Sequence, residues 1–395
     1  MLSISSSFFE SLHKEQWQEV RLGEVAEIVG GGTPKTSVPE YWGGNIAWLS
    51  VADFNNGRKY VSQTQKTITE LGLKNSSTKI LNQGDIIISA RGTVGVVAML
   101  KTPMAFNQTS YGIKSKELVN NHFIYYMLKN ASNSLVQNSY GSVFNTITSP
   151  ILNNYKFLLP PLKVQQQIAE ILSSFDDKID LLHRQNKTLE SLALTLFRHT
   201  FIDNPNRNEW EEKPLSEIAD FLNGLACQKI PPKNEIDRLP VLKIKELREG
   251  ITESSDWATS EVDSKYIVQN GDIIFSWSAS LMVKIWNGQK CILNQHLFKI
   301  TSAIYPKWFY YFWCLCHLQE FISIASAQAT TMGHVKRQDL DNAICLIPDN
   351  HNLRELDKVI APLLLKINNN SQQIQNLQSM RDMLLAKILN EKTEV

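Results

Sequence analysis

Trp17-Gln18-Glu19-Val20-Arg21-Leu22-Gly23-Glu24-Val25-Ala26-Glu27-Ile28 returns later in the chain as Trp210-Glu211-Glu212-Lys213-Pro214-Leu215-Ser216-Glu217-Ile218-Ala219-Asp220-Phe221. The two tryptophans stand 193 positions apart (17 and 210). Gly84-Asp85-Ile86-Ile87-Ile88-Ser89 likewise returns as Gly271-Asp272-Ile273-Ile274-Phe275-Ser276, and Asn107-Gln108 as Asn294-Gln295, both 187 positions on. Leu152 and Pro160 return as Leu340 and Pro348, 188 positions on. The matches keep their order and drift only slightly, so a whole domain is duplicated in tandem. A solenoid would repeat over a far shorter period.

Bulk properties narrow the classes. The 395 residues allow two or three domains at about 150 each. A hydrophobic content of 43% supports a core in each half. With 40 basic and 39 acidic residues the net charge is +1, so nucleic-acid binding requires basic groups sorted onto one face. The five cysteines (Cys227, Cys291, Cys314, Cys316, Cys345) all lie in the second copy. A disulfide framework would have been duplicated with the fold, so they read as free thiols of a cytoplasmic protein. Cys314-Leu315-Cys316 lacks zinc-finger spacing. No signal-peptide pattern opens the chain, and the apolar run Trp308–Cys316 is too short to span a bilayer, which takes about 20 residues; no membrane contact is expected.

Each copy reads as a mixed α+β part followed by a long helix. Gly-Asp turn signals precede Ile86-Ile87-Ile88 and Ile273-Ile274-Phe275, both strand-like. Phe123–Leu128 and Trp308–Trp313 form matching aromatic helical segments. Pro160-Pro161 and Pro348-Asp349-Asn350 mark the helix starts. In the first helix Leu172, Phe175, Ile179, Leu182, Asn186, Leu189, Ala193 and Leu196 alternate three and four apart. Their counterparts 188 positions on are Ile360, Leu363, Ile367, Asn370, Ile374, Leu377, Arg381 and Leu384. Two heptad seams in one chain predict an intramolecular coiled coil. Related domains arranged about a pseudo-two-fold axis make it antiparallel, setting a positions against d positions. Asn186 then faces Asn370, Leu182 faces Ile374, Ile179 faces Leu377, Leu189 faces Ile367, Leu196 faces Ile360, and Phe175 offers its ring to Arg381.

No catalytic signature is found. There is no Walker loop and no glycine fingerprint after a strand. Asp203-Asn204-Pro205-Asn206 lacks the second proline and the aromatic of an adenine methyltransferase motif. The acids and lysines of Asp237–Lys245 read as a solvated face. Candidate contacts to DNA lie in three kinds of loop. Gly30-Gly31-Gly32-Thr33-Pro34-Lys35 offers backbone amides, Thr33 and Lys35 to a phosphate. Arg91 and Thr93 follow a buried strand, where an arginine suits a guanine or phosphate; the equivalent place in the second copy holds Trp277 and Ser278. Ahead of the long helices, Ser142 and Asn145 in one copy and His334, Lys336 and Arg337 in the other have groove-reading chemistry. Lys229, Lys243 and Lys245 add a basic stripe.

At nearly full length the chain resembles the specificity subunit of type I restriction-modification systems. GGGTPKTSVPEYWGGNIAWLSVAD (Gly30–Asp53) looks like the opening of that family's target recognition domain. NQGDIIISARGTVG (Asn82–Gly95) and FNQ (Phe106–Gln108) look like its middle, and LPPLKVQQQIAEIL (Leu159–Leu172) like the start of its spacer helix. The second copy departs, with Asn223-Gly224-Leu225-Ala226 in place of the GGTP loop and IPDNHNLRELDKVI in place of LPPL. The resemblance implies target recognition domains at 14–160 and 210–348, a central spacer helix at 161–200, a linker at 201–209 and a C-terminal spacer helix at 349–392. It implies a non-catalytic subunit that reads a bipartite double-stranded DNA target. It also implies docking of two modification (methyltransferase) subunits and of restriction (translocase/nuclease) subunits. S-adenosylmethionine, ATP and Mg are then expected on those partners and no cofactor on this chain. Leu172–Leu196 spans 25 residues, or about 37 Å at about 1.5 Å each, close to one turn of B-DNA at roughly 34 Å. A stand-alone methyltransferase and a scaffold that binds only protein are the rival readings.

Overall fold

The computed structural model describes residues 12, 14–117, 119–137, 146–205, 207–252, 254–327 and 333–390. Their contacts divide the chain into two units. Unit 1 runs to Leu181 and resumes at Asn376; unit 2 is Leu182–Gln375.

Unit 1 holds a five-stranded sheet built from Ala26–Gly30 (β1), Tyr60–Val61 (β2), Ile86–Ser89 (β3), Val97–Leu100 (β4) and Ser110–Ser115 (β5), in the order β1-β5-β3-β4-β2. All neighbours are antiparallel except β4 and β2. All four residues of β3 are buried, which explains its continuous apolar run: both faces are covered. Helix Asn121–Gln137 (α1) covers one face through Phe123, Ile124, Tyr126, Leu128 and Leu135. A second, four-stranded sheet orders Lys66–Ile68, Trp42–Leu49, Met104–Phe106 and Ile80–Leu81. Gln18–Arg21 pairs with Lys156–Leu159, which leads into the 40-residue helix Leu162–Phe201 (α2).

Unit 2 repeats this plan. Asp220–Asn223 (β6), Ile273–Ser276 (β7), Met282–Ile285 (β8) and Leu297–Thr301 (β9) form a sheet ordered β6-β9-β7-β8. Helix Lys307–Ala327 (α3) packs its aromatic run against it. The second sheet orders Trp257–Ala258, Leu239–Leu242, Cys291–Leu293 and Ile267–Val268, and Glu211–Pro214 pairs with Ile344–Ile347 ahead of the 41-residue helix Asn350–Asn390 (α4). The cysteines are free thiols. Among the described residues no helix is long and apolar enough to cross a membrane.

Each long helix contributes to both units, because each unit buries the apolar stripe of one helix against the other. In unit 1, Ile168, Ala169 and Leu172 share a core with Leu384, Leu385 and Ile388. In unit 2, Ala193, Phe197 and Phe201 share a core with Ile360 and Leu364. In unit 1 early residues of α2 meet late residues of α4, and further along α2 Asp176 meets Arg381; in unit 2 Asn186 meets Asn370, and later residues of α2 meet earlier residues of α4, so the helices run antiparallel within each unit. Leu172, Ile179, Leu182, Ile360, Asn370 and Ile374 are buried; Phe175, Asn186, Leu189, Leu363, Ile367 and Leu377 are half-buried. Asn370 Nδ2 donates to Asn186 Oδ1 at 2.9 Å, and Asn186 Nδ2 donates to Ser371 Oγ at 3.2 Å and the Ile367 carbonyl at 3.3 Å.

One expected contact is replaced. Arg381 turns to carboxylates rather than to the Phe175 ring. It bonds Asp176, and its Nε and Nη2 reach Asp382 at 2.9 and 3.1 Å. At 3% exposure the guanidinium needs full charge compensation, which a ring face does not supply. Burial opposes its charge, yet Asp382 and Asp176 hold its pKa above the ordinary value. Asp176 also accepts from Tyr126 at 2.5 Å. Beside it the buried Lys59 donates to Ser173 (2.7 Å), His122 Nδ1 (2.8 Å) and Tyr126 (3.1 Å). None of these partners of Asp176 and Lys59 was foreseen in the sequence.

Replacing Asn186 with Leu leaves the Asn370 amide, 1% exposed, without its acceptor. The expected cost is about 1–3 kcal/mol, read as a lower Tm, with recovery on also replacing Asn370 by Leu. An unchanged Tm in the single variant would count against the pair.

Burial lowers the Lys59 pKa to about 8, outweighing Asp176 and Asp177, which raise it. Between about pH 8 and the ordinary 10.5 the unfolded chain binds the extra proton, so this site's contribution to stability rises with pH across that window. Lys59→Met should flatten the rise. Urea unfolding at about pH 7.5 and 9.5 checks it, and identical pH slopes in both chains would refute it.

Candidate nucleic-acid interface

In unit 1 the short turn Asn107–Thr109, between Met104–Phe106 and β5, gathers the candidate loops. From one side the glycine loop closes on it. Gly32 N–H donates to the Phe106 carbonyl at 2.9 Å, Trp48 Nε1 donates to the Gly32 carbonyl at 3.1 Å, and the Thr33 hydroxyl bonds Gln108 Oε1. The approach requires glycine: a Cβ at Gly31 would lie 2.1 Å from the Asn107 carbonyl oxygen. From the other side comes the loop after β3. Ala90 and Arg91 N–H both donate to the Thr109 carbonyl, at 2.8 and 3.2 Å. That loop turns through Gly92 and Gly95, both at positive φ. The segment ahead of the short helix Ser149–Asn154 joins through Ile147 N–H, which donates to the Ala90 carbonyl at 3.0 Å. Lys35, Arg91, Thr93 and Gln108 are exposed and Thr33 is half-buried. Ser142 and Asn145 lie outside the described residues.

Unit 2 builds the same junction from different side chains. Gln295 N–H donates to the Leu225 carbonyl at 2.8 Å, so the shorter loop Asn223–Ala226 takes the place of the glycine loop. Val335 N–H donates to the Trp277 carbonyl at 2.9 Å, as Ile147 does to Ala90. Ser278 forms a bridge with His334. The Trp277 ring lies 5.9 Å from that of His334 and 6.0 Å from that of His296. Ser278 is 6% exposed with its hydroxyl 3.4 Å from His296 Nδ1, so this loop is packed where the Arg91 loop is open. Lys336 and Arg337 are exposed at the start of the helix Arg337–Asn342.

The lysines of unit 2 are a less uniform stripe than the sequence suggests. Lys229 and Lys245 are exposed, Lys245 donating to Ser254 Oγ at 3.1 Å. Lys243 is ion-paired with Asp256 and Lys233 with Glu261. Asp237 accepts from the Ser260 and Thr259 hydroxyls, which hold its carboxyl below the usual range. Among the described residues no three His, Cys, Asp or Glu side chains are grouped to hold a metal. Gln108, Gln295 and His296 belong to the junctions but were not singled out as contacts. For the two glutamines the signal was present in the repeated Asn-Gln pair, a polar dipeptide that both copies keep at a turn.

The comparisons with known proteins agree with this layout. The profile of the family described as "Type I restriction modification DNA specificity domain" matches residues 14–191 and 207–379, one match per repeat. The MjaIX type I restriction enzyme specificity subunit of Methanocaldococcus jannaschii is 31% identical, over 95% of this chain and 93% of that one. The EcoR124I/EcoR124II specificity subunit of Escherichia coli is 32% identical over 39% of this chain and 40% of its own length. The crystal structure of the type I restriction-modification S subunit from M. genitalium shares the fold, with a TM-score of 0.52 at 13% identity, over 95% of this chain and 97% of that one. The chain belongs to the family of type I restriction-modification DNA specificity proteins. It is a specificity subunit with two tandem domains, the non-catalytic component of its system.

Gly31→Ala forces the glycine loop off the Asn107 turn. The expected loss is about 1–3 kcal/mol, measured by denaturant unfolding. A variant as stable as the parent would show that the approach at Gly31 is not close.

Proposed function

We propose that each unit reads one part of a bipartite double-stranded DNA target through its loop junction. The observation that carries this reading is the junction itself, built twice on matching strands with different side chains: Thr33, Lys35, Arg91 and Gln108 in unit 1, and Trp277, His296, His334, Lys336 and Arg337 in unit 2. Equal scaffolds with unequal reading surfaces suit a target of two unlike parts. Arg91 is the candidate for a base edge, since its guanidinium is exposed while its backbone is held by Thr109. Lys35 and Lys336 are candidates for phosphates. The bases between the two parts go unread, and the lengths of α2 and α4 set their number. Two modification subunits carry S-adenosylmethionine and methylate the target; restriction subunits use ATP and Mg to translocate and cut. With a net charge of +1, this chain leaves much of the nonspecific attraction to those partners.

Mapping methylated adenines genome-wide, with and without this gene, should yield a motif of two short parts around an unread gap. Arg91→Ala should relax one part only, at about 1–3 kcal/mol of discrimination, and Lys35→Ala should lower the salt slope of binding by about 1. A continuous motif, or relaxation of both parts by Arg91→Ala, would overturn the reading.

A further inference from the structure

The two units differ at one sheet edge. In unit 1 the outer edge of β4 is covered by β2, with Tyr60 beside Met99 and Val61 beside Leu100. Met99 N–H donates to the Lys59 carbonyl at 2.7 Å and Lys101 N–H to the Val61 carbonyl at 2.9 Å. Side chains from this edge then cross to α2: Lys59 to Ser173, Tyr60 to Asp177 (3.0 Å), and Lys101 to Asp180 (2.7 Å). In unit 2 the matching strand is β8, where Ile285 pairs with Ile273 as Met99 pairs with Ile86. There the sheet ends, and no described strand pairs with the outer edge of β8.

The helix beside that edge has changed in step. At the positions 188 residues on, Ser173, Asp176, Asp177 and Asp180 are replaced by Ala361, Leu364, Leu365 and Asn368. These four, with Ile285 and Trp308, line a pocket beside the bare edge; Lys307, bonded to the Gly271 carbonyl at 2.7 Å, and Asp357, which accepts from Trp308 Nε1 at 2.8 Å, complete it. Leu365 is 62% exposed, and Asn368 Oδ1 is buried with no hydrogen-bond partner. The place that unit 1 fills with its own strand and cations is open in unit 2 and lined mainly with apolar side chains, its two charged groups each already bonded within the unit.

We propose that this edge takes an extended segment of a partner protein, which pairs with β8 as a fifth strand and sets an uncharged apolar side chain against Leu364 and Leu365. The strand position is the one that β2 occupies in unit 1, and an unpaired edge is a ready template for it. The side-chain class follows from the lining: three carboxylates of α2 stand beside the unit 1 edge, whereas here the one carboxylate, Asp357, is bonded to Trp308 and shares the pocket with Lys307, so a lysine at the Lys59 position would be buried without compensation and an aliphatic chain fits. A donor on the same segment satisfies Asn368. The proposal goes beyond the reading of DNA and does not depend on it.

The probes are three fluorescein-labelled peptides of residues 57–63: Gly-Arg-Lys-Tyr-Val-Ser-Gln as it stands, the same with Lys59→Leu, and the latter with Val61→Pro, which removes a strand donor. Each is titrated by anisotropy against the full chain. The Lys59→Leu peptide should saturate, the unaltered peptide should bind at least about tenfold more weakly, about 1.4 kcal/mol, and the proline peptide should not saturate. Leu365→Glu in the full chain, at an exposed position that the fold tolerates, should weaken the Lys59→Leu peptide by about tenfold with an unchanged Tm. Absence of saturable binding, equal binding of the proline peptide, or indifference to Leu365→Glu would each overturn the proposal.

Discussion

The constraint on which the rest depends is that each unit closes its core only with a stretch of both long helices. Unit 1 closes its core over α2 with Leu384, Leu385 and Ile388 of α4; unit 2 closes its core over α4 with Ala193, Phe197 and Phe201 of α2. At about 25 cal/mol per Å² of apolar surface, several such side chains outweigh any single polar contact in the seam. The polar contacts do something else. The Asn186–Asn370 amide pair and the Asp176–Arg381 ion pair permit one axial alignment of antiparallel helices, because any slip leaves a buried amide or charge without its partner.

Duplication has preserved scaffold and released surface. The buried strands β3 and β7, the turns at Asn107 and Asn294, and the hydrogen bonds from Ile147 and Val335 to the loop behind them recur in both units. What hangs from them differs: an open arginine loop in one unit, a packed tryptophan, serine and histidine group in the other. Divergence of loops on a rigid frame is a physically cheap route to new specificity, since exposed substitutions cost little stability while the strands keep their register.

The units also diverge where the sheets meet the long helices. Unit 1 places a buried lysine among tyrosines, a histidine and aspartates; unit 2 places leucines and an asparagine at the equivalent helix positions. A buried cation must bring its counter-charges with it, so the Lys59 strand and the aspartates of α2 stand or fall together. Unit 2 has neither.

From the sequence alone, the tandem duplication, the matched heptad seams, the antiparallel sense of the helices and the Asn186–Asn370 pairing could be read. All are periodic or repeated, and periodicity is a property of the chain itself. The glycine and arginine loops could be singled out by residue type, but not that they converge on Asn107–Thr109. That convergence rests on hydrogen bonds between residues far apart in the chain, as Thr33 and Gln108 are at 75 positions. Tertiary structure alone decided that Arg381 neutralises Asp176 rather than stacking on Phe175, and that Lys59 is buried. It also decided that a two-residue strand closes one sheet and has no equivalent among the described residues of the other. These are choices between partners of similar local propensity, and only burial, which sets the cost of an unpaired charge, separates them.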